Sequence, residues 1–450
     1  MKRLFGTDGI RGVAGDPPLD PATVRVFGVA LAETLAQRTA HAPRVVIGRD
    51  TRESGPWLRN AVDAGVASRG GETVDAGVIT TPGLAFATRD RFDAGVMISA
   101  SHNPFEDNGL KVFGADGCKL ADDAEAAIEA RILDHGHPDP GPRQGVPAAE
   151  RPELREAYLH DLLASFPGDR VGIAGRRLAI DCANGAACAV APELFRALGA
   201  DIELLGNAPD GRNINLGCGS LHLEQLAARV REGGHDLGLA FDGDADRCLA
   251  VDRHGRMIDG DHILYFTARL LARHGRLRGG KVVATIMSNF WLERRLAAEG
   301  ITLLRAPVGD KYVLERMAAE GAVLGGEQSG HVIFRELATT GDGLLTALHL
   351  LEAAAEEPVA LEDILDDIVP SPQVLINVRV RERVDLRSHP TIGPAVADAE
   401  RALEGTGRVV LRFSGTEPLV RVMVEGDDDS AVRGQAQRLA EIVRSALGSK

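Results

Sequence analysis

Residues 96–104 read VMISASHNP, an apolar run that ends abruptly in a polar loop. The run Val96-Met97-Ile98 has the length and composition of a buried strand. Ser101 follows in a turn whose exit is fixed by Asn103-Pro104, so its hydroxyl can be held rigidly and exposed. Because turn residues also cluster for purely local reasons, an ordinary serine turn explains this stretch about equally well when it is taken alone.

Similar apolar runs return along the chain and alternate with amphipathic helical segments. Asp20-Pro21 predicts a helix start, with Asp20 as the N-cap and proline in the first turn. Alternating strands and helices predict parallel sheets covered by helices, in which ligands bind at the carboxyl ends of the strands. Further strands are predicted at residues 45–47, 178–180, 237–241, 282–284 and 323–324.

The pattern changes beyond Pro370-Ser371-Pro372. We expect a strand at 373–380, a helix near 390–404, two strands flanking Ser414 and a final helix near 430–447. The whole chain is therefore predicted to hold three related α/β domains with mixed, largely parallel sheets and a smaller C-terminal α+β domain, arranged around a central cleft.

A length of 450 residues also calls for several domains, because single cores stop growing near ~250–300 residues. The Pro- and Gly-rich stretch 134–150 indicates a linker, and His254-Gly255 a softer boundary. The predicted domains are residues 1–150, 151–255, 256–369 and 370–450.

The composition disfavours several classes of binding partner. The net charge is −14 and aromatic residues make up 4%, which disfavours nucleic acid, anionic membranes and base-stacking surfaces as partners. An anionic substrate would need a locally positive pocket. Five dispersed cysteines indicate reduced thiols, and neither a signal peptide nor an apolar run of about 20 residues is recognisable. We therefore expect a cytoplasmic protein.

A second polar loop, FDGDADR at residues 241–247, follows the predicted strand 237–241. Asp242, Asp244 and Asp246 alternate, so three carboxylates converge and repel one another unless a hard cation such as Mg²⁺ or Ca²⁺ binds. An EF-hand is excluded, because Arg247 and Arg253 occupy the positions that need Gly and Glu. Mg²⁺ suits phosphoryl transfer, although a solvated acidic turn stays a minor alternative.

Two further loops carry polar groups between glycines. In GGEQSGH (325–331), Glu327 and Ser329 suit sugar hydroxyls and His331 can shuttle a proton. In RFSGTEPLVR (412–421), Arg412 and Arg421 flank a Ser-Gly-Thr turn, which favours anion binding over a plain hairpin. No Walker A loop, no dinucleotide-binding GxGxxG and no HExxH occurs, which weakens the nucleotide-hydrolase, dehydrogenase and zinc-protease alternatives.

Together these motifs resemble the α-D-phosphohexomutase superfamily over nearly the whole chain and in the family's order. The match also includes FGTDGIRG (5–12), GRDTRESG (48–55), NINLGCGS (213–220), TIMSN (285–289) and VGDKYV (308–313). FGTDGIRG, GCGS and SGTEPLVRVMVEG (414–426) favour the branch that acts on glucosamine phosphates over the phosphomannomutase/phosphoglucomutase branch.

The resemblance implies a role for each matching residue. Ser101 would be the phosphoserine, and with Asp242, Asp244 and Asp246 it would hold one Mg²⁺ per chain. The groups around the reaction would be Arg11, His102, Lys111 as general base or acid, and His331.

The remaining matches are implied to bind substrate. Those near the sugar would be Arg247, Gly309, Asp310, Glu327 and Ser329. Those on the phosphate that is not reacting would be Arg412, Ser414, Gly415, Thr416 and Arg421.

The implied activity is the interconversion of glucosamine 6-phosphate and glucosamine 1-phosphate through glucosamine 1,6-bisphosphate, which feeds UDP-N-acetylglucosamine and cell-wall precursor synthesis. Phosphomannomutase/phosphoglucomutase activity is the main alternative. A Mg²⁺-dependent sugar phosphatase is more distant, and a non-catalytic sugar-phosphate binding protein would not need Ser101 together with the three aspartates. The resemblance hints at a homodimer.

Overall fold

A computed structural model describes residues 4–6, 8–135, 148–166, 172–357, 360–414 and 418–448. The chain forms two compact units, one of residues 1–285 and 304–361 and the other of residues 286–303 and 362–450. All five cysteines are free thiols. Within the described ranges, no helix combines the length and apolarity that crossing a bilayer requires.

The first sheet contains the Ser101 loop. Its strands are β1 Phe5–Gly6, β2 Gly9–Val13, β3 Arg44–Arg49, β4 Glu72–Val78, β5 Ala94–Ile98 and β6 Asp107–Gly114. They lie in the order β1-β2-β6-β5-β3-β4, with parallel β4-β3-β5 and antiparallel β5-β6-β2-β1. The accompanying helices are α1 Pro21–Ala36, α2 Gly55–Ala67, α3 Thr81–Thr88, α4 Asp122–His135 and α5 Glu153–Ser165.

Two more mixed sheets follow. The second consists of β7 Arg177–Asp181, β8 Asp201–Leu205, β9 Leu237–Phe241, β10 Cys248–Asp252 and β11 Met257–Ile258, ordered β11-β10-β9-β7-β8, with α6 Ala191–Ala197 and α7 Glu224–Gly233. The third consists of β12 Lys281–Thr285, β13 Thr302–Ala306, β14 Leu324–Gly326 and β15 Val332–Phe334, ordered β13-β12-β14-β15. The helices that follow in the chain are α8 Gly260–Arg273, α9 Phe290–Ala298, α10 Asp310–Glu320 and α11 Gly343–Glu356, of which α9 belongs to the second unit.

The C-terminal sheet is antiparallel and belongs to the second unit. Its strands, β16 Gln373–Arg379, β17 Gly407–Phe413 and β18 Leu419–Gly426, lie in the order β16-β18-β17. The remaining helices are α12 Leu361–Asp366, α13 Ile392–Ala402 and α14 Asp429–Leu447. Valines of the central strand β18, such as Val422 and Val424, form a buried core with Ile392 and Leu439. This is the α+β architecture that the sequence predicts beyond residue 370.

The three loops that contain Ser101, Asp242 and Glu327 are hairpin connections rather than strand-to-helix loops. β5 and β6 flank the Ser101 loop, β9 and β10 flank the Asp242 loop, and each pair is antiparallel. β14 and β15 flank the Glu327 loop in the same way. The connections are too short to form the crossover that a parallel strand needs, so each chain segment returns beside the strand it left. In each mixed sheet the βα units contribute parallel strands, whereas the two strands that flank each of these loops are antiparallel.

Of the six apolar runs predicted as strands before residue 370, five are confirmed, and of the sixth, 323–324, only Leu324 lies in a strand, β14. β4 and β6 are among the strands that these patterns do not predict. The runs at 45–47, 96–98, 178–180, 237–241 and 282–284 all lie in strands, and Asp20 caps α1 by accepting from the N–H groups of Ala22 and Thr23. The segment His254-Gly255 lies in the turn between β10 and β11. Most of the predicted linker 134–150 falls outside the described residues.

Helices α1 and α2 cross at two glycines. A Cβ atom on Gly65 would lie 2.2 Å from the carbonyl oxygen of Arg25, and one on Gly28 would lie 2.4 Å from that of Val62. Such distances leave no room for a methyl group, so glycine is required by close approach of two backbones. This crossing supports the sheet that carries Ser101, because Val62, Val24 and Val96 share one buried core.

Gly65→Ala is expected to lower the free energy of unfolding by about 1–3 kcal/mol, because the methyl group forces the two helices apart. The measurement is the midpoint of urea denaturation followed by circular dichroism.

Asn60→Ala on the exposed side of α2 is the control, and its effect is expected to stay within about 0.5 kcal/mol. Equal midpoints for Gly65→Ala and the parent chain would show that the crossing tolerates a side chain.

Candidate active site

Ser101 lies immediately beyond β5 and faces the aspartate loop. Its Oγ donates a hydrogen bond to Asp242 Oδ2 at 2.5 Å and lies 3.3 Å from His102 Nδ1. The residue is 1% exposed and has a positive φ of 54°, a conformation that few non-glycine residues adopt. The loop thus fixes the hydroxyl against one carboxylate of the second sheet.

Asp242, Asp244 and Asp246 form a buried carboxylate cluster, with one oxygen from each within 4.8 Å of the others. Lys111 Nζ, on β6, donates to Asp244 Oδ2 at 2.8 Å and to Asp246 Oδ2 at 3.2 Å. Thr81 Oγ1, at the start of α3, donates to Asp244 Oδ2 at 2.5 Å. Elements of the first sheet therefore supply the partners of a loop from the second sheet.

The three carboxylates are only partly neutralised by the protein. Burial, with Asp246 and Asp244 nearby, raises the pKa of Asp242 to about 8. Burial acts in the same direction on Asp246, but Lys111 and His331 outweigh it and hold the Asp246 pKa well below its ordinary value. Burial would lower the pKa of Lys111, yet the surrounding aspartates raise it well above its ordinary value. The site therefore stabilises the ammonium form of Lys111.

The cluster fits a divalent cation. The Oδ1 atoms of Asp244 and Asp246 are buried without a hydrogen-bond partner, so each has a lone pair available to a ligand. Three buried carboxylate oxygens are a donor set suited to a hard ion, and a cation would offset the repulsion that raises the pKa of Asp242.

A second charge cluster extends the site. Lys119 Nζ donates to Asp310 Oδ2 at 2.5 Å and also hydrogen-bonds Asp8, while Lys111 Nζ lies 3.1 Å from Asp8 Oδ2. Asp8 in turn pairs with Arg11 on β2. The carboxylate of Asp310 is thus held by Lys119, and alternating charges connect it to the three aspartates.

The surroundings of His102 favour its neutral form. Burial and the positive charges of Arg247 and Arg11 lower its pKa to about 4. Arg247 donates its backbone N–H to Asp242 Oδ1 at 3.2 Å, and its Nε lies 3.8 Å from Asp246 Oδ1. Arg11, His102 and Arg247 are therefore brought to the side of the carboxylate cluster near Ser101.

The loop after β14 brings hydroxyl and carboxylate groups to the same region. Glu327 Oε1 accepts a hydrogen bond from the Gly309 N–H at 3.0 Å, and Ser329 Oγ is buried without a hydrogen-bond partner. The ring of His331 lies between Asp246 and Asp310, each 3.6 Å away, and these carboxylates outweigh burial and raise its pKa. The unpaired Ser329 hydroxyl is thus available to a ligand.

The C-terminal loop is described within the second unit, up to Ser414 and again from Pro418. Arg412 and Arg421 are directly opposite each other on β17 and β18, and Arg421 Nε is buried without a hydrogen-bond partner. Burial and the charge of Arg421 lower the pKa of Arg412. Two like charges placed side by side favour an anion between them. Gly415 and Thr416 lie outside the described residues.

Several residues of the site carry no strong sequence signal. Asp8 lies inside FGTDGIRG, and its spacing from Arg11 is the hint that pattern reading could have used. Lys119 follows a turn with no motif, and Thr81 begins an unremarkable helix. In the second unit Arg383 donates to the Ser414 carbonyl at 2.5 Å and covers the Phe413 ring at 5.6 Å. These residues contact partners far away in sequence, which only the fold brings together.

Four family models match the chain in order. They describe the phosphoglucomutase/phosphomannomutase alpha/beta/alpha domains I, II and III, over residues 2–137, 156–255 and 259–371, and the C-terminal domain of the same family, over residues 375–442.

Curated relatives match this chain over almost their whole length. Phosphoglucosamine mutase of Solibacter usitatus is 51% identical over 448 residues, covering 99% of both chains. That of Deinococcus radiodurans is 48% identical over 452 residues, covering 100% of this chain and 99% of the relative.

Among solved structures, a phosphoglucomutase/phosphomannomutase family protein from Burkholderia thailandensis has a TM-score of 0.80 and 26% identity, covering 99% of this chain and 98% of the other. An Aspergillus fumigatus N-acetylphosphoglucosamine mutase shares the fold, with a TM-score of 0.63 at 20% identity, covering 98% and 96%.

Adding Mg²⁺ is expected to raise the melting temperature, because an ion that binds only the folded state stabilises it by about 2.7 kcal/mol at 100 times its dissociation constant. At about 2–4 °C per kcal/mol for a domain of 150–250 residues, the corresponding shift is about 5–11 °C. Asp244→Asn should lose this shift, since it removes one charged ligand. Differential scanning fluorimetry with and without Mg²⁺ measures it.

Asp116→Asn, which changes an exposed loop carboxylate, is the control and should keep the full shift. The same Mg²⁺-dependent shift in Asp244→Asn as in the parent chain would show that the cluster is not the binding site.

Proposed function

The chain belongs to the phosphoglucomutase/phosphomannomutase family, and on that premise we propose that it interconverts glucosamine 6-phosphate and glucosamine 1-phosphate. The observation that carries the proposal is the Ser101 hydroxyl, hydrogen-bonded to one member of a buried cluster of three carboxylates. The choice of the amino sugar rests on full-length relatives at 46–51% identity that are named phosphoglucosamine mutases.

Ser101 is proposed to carry a phosphoryl group in the active protein. The bond between phosphorus and Ser101 Oγ breaks as a bond to the free sugar hydroxyl forms, and the proton of that hydroxyl ends on Oγ. The product is glucosamine 1,6-bisphosphate. After it turns over in the site, the second phosphate is transferred to Ser101 and the Oγ proton passes to the sugar oxygen that is released. Each turnover thus regenerates the phosphoserine.

Asp242, Asp244 and Asp246, with the phosphate on Ser101, would hold one Mg²⁺ ion. When bound, the ion supplies neutralisation of the charge on the phosphoryl group in transfer. The protein itself adds two positive charges near these carboxylates, the ammonium group of Lys111 and the guanidinium of Arg247. Because phosphoryl transfer needs little covalent help, positioning and charge account for most of the catalysis.

The remaining residues are proposed to bind substrate. Glu327 and the unpaired Ser329 hydroxyl suit hydroxyl groups of the sugar, and Gly309, which donates to Glu327, helps to orient that carboxylate. Asp310 is also proposed to bind the substrate, whereas the neighbouring His331 is proposed to take part in catalysis, as are Arg11 and His102. Arg412, Ser414 and Arg421, together with Gly415 and Thr416, are proposed to bind the phosphate that is not reacting.

The physiological setting also remains a proposal. A sugar phosphate is the partner that the family indicates, and the product would enter UDP-N-acetylglucosamine and cell-wall precursor synthesis. A homodimer and a cytoplasmic location remain predictions from the sequence.

Ser101→Ala is expected to abolish mutase activity, because no acceptor remains for the phosphoryl group. The parent chain should also carry the mass of one phosphate that the variant lacks. A coupled assay for glucosamine 1-phosphate and intact-protein mass spectrometry measure the two effects.

Ser388→Ala, which removes a hydroxyl from an exposed turn of the second unit, is the control and should keep full activity. Mutase activity in Ser101→Ala at the parent level would contradict the phosphoserine route. Inorganic phosphate as the main product of the parent chain would instead favour a sugar phosphatase.

The family name also includes phosphoglucomutase and phosphomannomutase, so substrate choice needs its own test. We expect kcat/KM for glucosamine 6-phosphate to exceed that for glucose 6-phosphate and mannose 6-phosphate by at least about tenfold, since a polar group that a site binds is costly to omit. A higher kcat/KM for either sugar phosphate without an amino group would indicate phosphoglucomutase or phosphomannomutase activity instead.

A further inference from the structure

The loops around Ser101 share an uncommon backbone conformation. Among the described residues, six that are not glycine have a positive φ, and five of them lie in the loops that meet at this site. These five are Ser101 (54°), Ala183 (54°), Asn184 (49°), Asn215 (58°) and Ala245 (55°). Such conformations persist only where surrounding contacts hold them. The contacts of Ser101 therefore indicate what keeps its hydroxyl in place.

The amide side of Ser101 is held by a buried relay. The Ser101 N–H donates to Ser99 Oγ at 2.9 Å, and Ser99 Oγ donates to Asp50 Oδ2 at 2.7 Å. The other oxygen of Asp50 accepts the backbone N–H of Arg52 at 3.0 Å. Asp50 thus links the serine loop to the connection between β3 and α2.

The carbonyl side is held by two donors that share the same acceptors. Arg52, whose side chain is fully buried, donates to the carbonyl oxygens of Ser101 at 3.0 Å and Asn103 at 2.8 Å. Asn215 Nδ2 donates to the same two oxygens, at 2.9 and 3.1 Å. A guanidinium and an amide from two separate connections thus clamp both ends of the turn that begins at Ser101.

This clamp also meets the aspartate loop. A Cβ atom on Gly243 would lie 2.4 Å from the Ser101 carbonyl oxygen and 3.0 Å from Asn215 Nδ2. The carbonyl that Arg52 and Asn215 hold is therefore packed directly against the residue between Asp242 and Asp244. A shift of that carbonyl would therefore move the Ser101 loop relative to the aspartate loop, where Ser101 Oγ donates to Asp242 Oδ2.

We propose that Arg52 and Asn215 are positioning residues for phosphoryl transfer, which hold the phosphoserine so that its phosphoryl group reaches the sugar hydroxyl rather than water. The proposal rests on the proposed function of Ser101. Neither residue needs to touch the substrate. They act by holding the carbonyl groups of Ser101 and Asn103 in place. Their loss should therefore slow phosphoryl transfer and leave substrate binding largely unchanged.

Asn215→Asp tests the proposal most sharply, because it keeps the shape of the side chain and the tolerance of a positive φ, removes both N–H donors and replaces them with a carboxylate that repels the two carbonyl oxygens. We expect kcat to fall about 10–100-fold while KM changes less than about twofold, since misplacement of a reacting group weakens the transfer step alone. Arg52→Lys keeps the charge but loses the forked geometry, and it should act in the same direction.

The second readout is the fate of the phosphoryl group. Ser101 is labelled with radioactive phosphate from glucosamine 1,6-bisphosphate, and unlabelled glucosamine 6-phosphate is then added with Mg²⁺. In the parent chain nearly all label should reach the sugar. In Asn215→Asp the share released as inorganic phosphate should rise at least about tenfold, because a loosened loop lets water compete.

Asn213→Asp is the matched control. It makes the same chemical change two residues away, where Asn213 Nδ2 donates to the Ala208 carbonyl and not to the serine loop. It should keep the parent kcat and label distribution. If Asn215→Asp does not fold, as judged by its melting curve, Asn215→Gly allows the left-handed backbone without the amide and should show the same two changes.

The outcomes separate the two proposals. If the parent chain transfers no label to the sugar, the function proposed for Ser101 fails and the positioning role falls with it. If the parent chain transfers label and the variants at positions 52 and 215 keep its kcat and label distribution, only the positioning role is overturned. A lower melting temperature with an unchanged label distribution would likewise show that the clamp has a structural role alone.

Discussion

The mutual repulsion of three buried carboxylates is the constraint on which the rest of the site depends. Asp242, Asp244 and Asp246 lie on one short loop, away from the water that would otherwise screen them. Charges buried in this way are retained only with partners. Lys111 supplies part of the compensation, the hydroxyls of Thr81 and Ser101 supply hydrogen bonds, and the unpaired oxygens leave the rest to a cation. The reacting serine is thus one of the groups that the carboxylates require.

Close packing of backbone against backbone turns this electrostatic requirement into a fixed geometry. Gly243 lies against the carbonyl of Ser101, and Gly330 of the sugar-side loop lies against the carbonyl of Cys248. The N–H of Gly343, at the start of α11, donates to the Ala245 carbonyl at 3.0 Å. The aspartate loop is therefore held from three sides by elements far apart in sequence. Glycine is needed at these points because any side chain would meet a backbone atom.

The sequence predicts the parts of this arrangement that are local. Apolar runs predict several of the strands, and the spacing of the aspartates predicts a loop suited to a cation, because both patterns are read within a few residues. The hairpin return after each loop is not marked by these patterns, since a strand sequence carries no sign of its direction. The same patterns miss four residues of the site for a related reason, namely Lys119, Asp8, Arg52 and Asn215. Their partners are tens to more than a hundred residues away, so their importance appears only when the sheets are assembled.

In the proposed mechanism the phosphate on Ser101 and the three aspartates form one cation site. Titration calorimetry of Mg²⁺ with the phosphorylated and the unphosphorylated chain tests this directly. Phosphorylation is expected to lower the Mg²⁺ dissociation constant by about tenfold or more, which corresponds to ~1.4 kcal/mol or more from the added charged ligand. Equal affinity in the two forms, or weaker binding after phosphorylation, would contradict it.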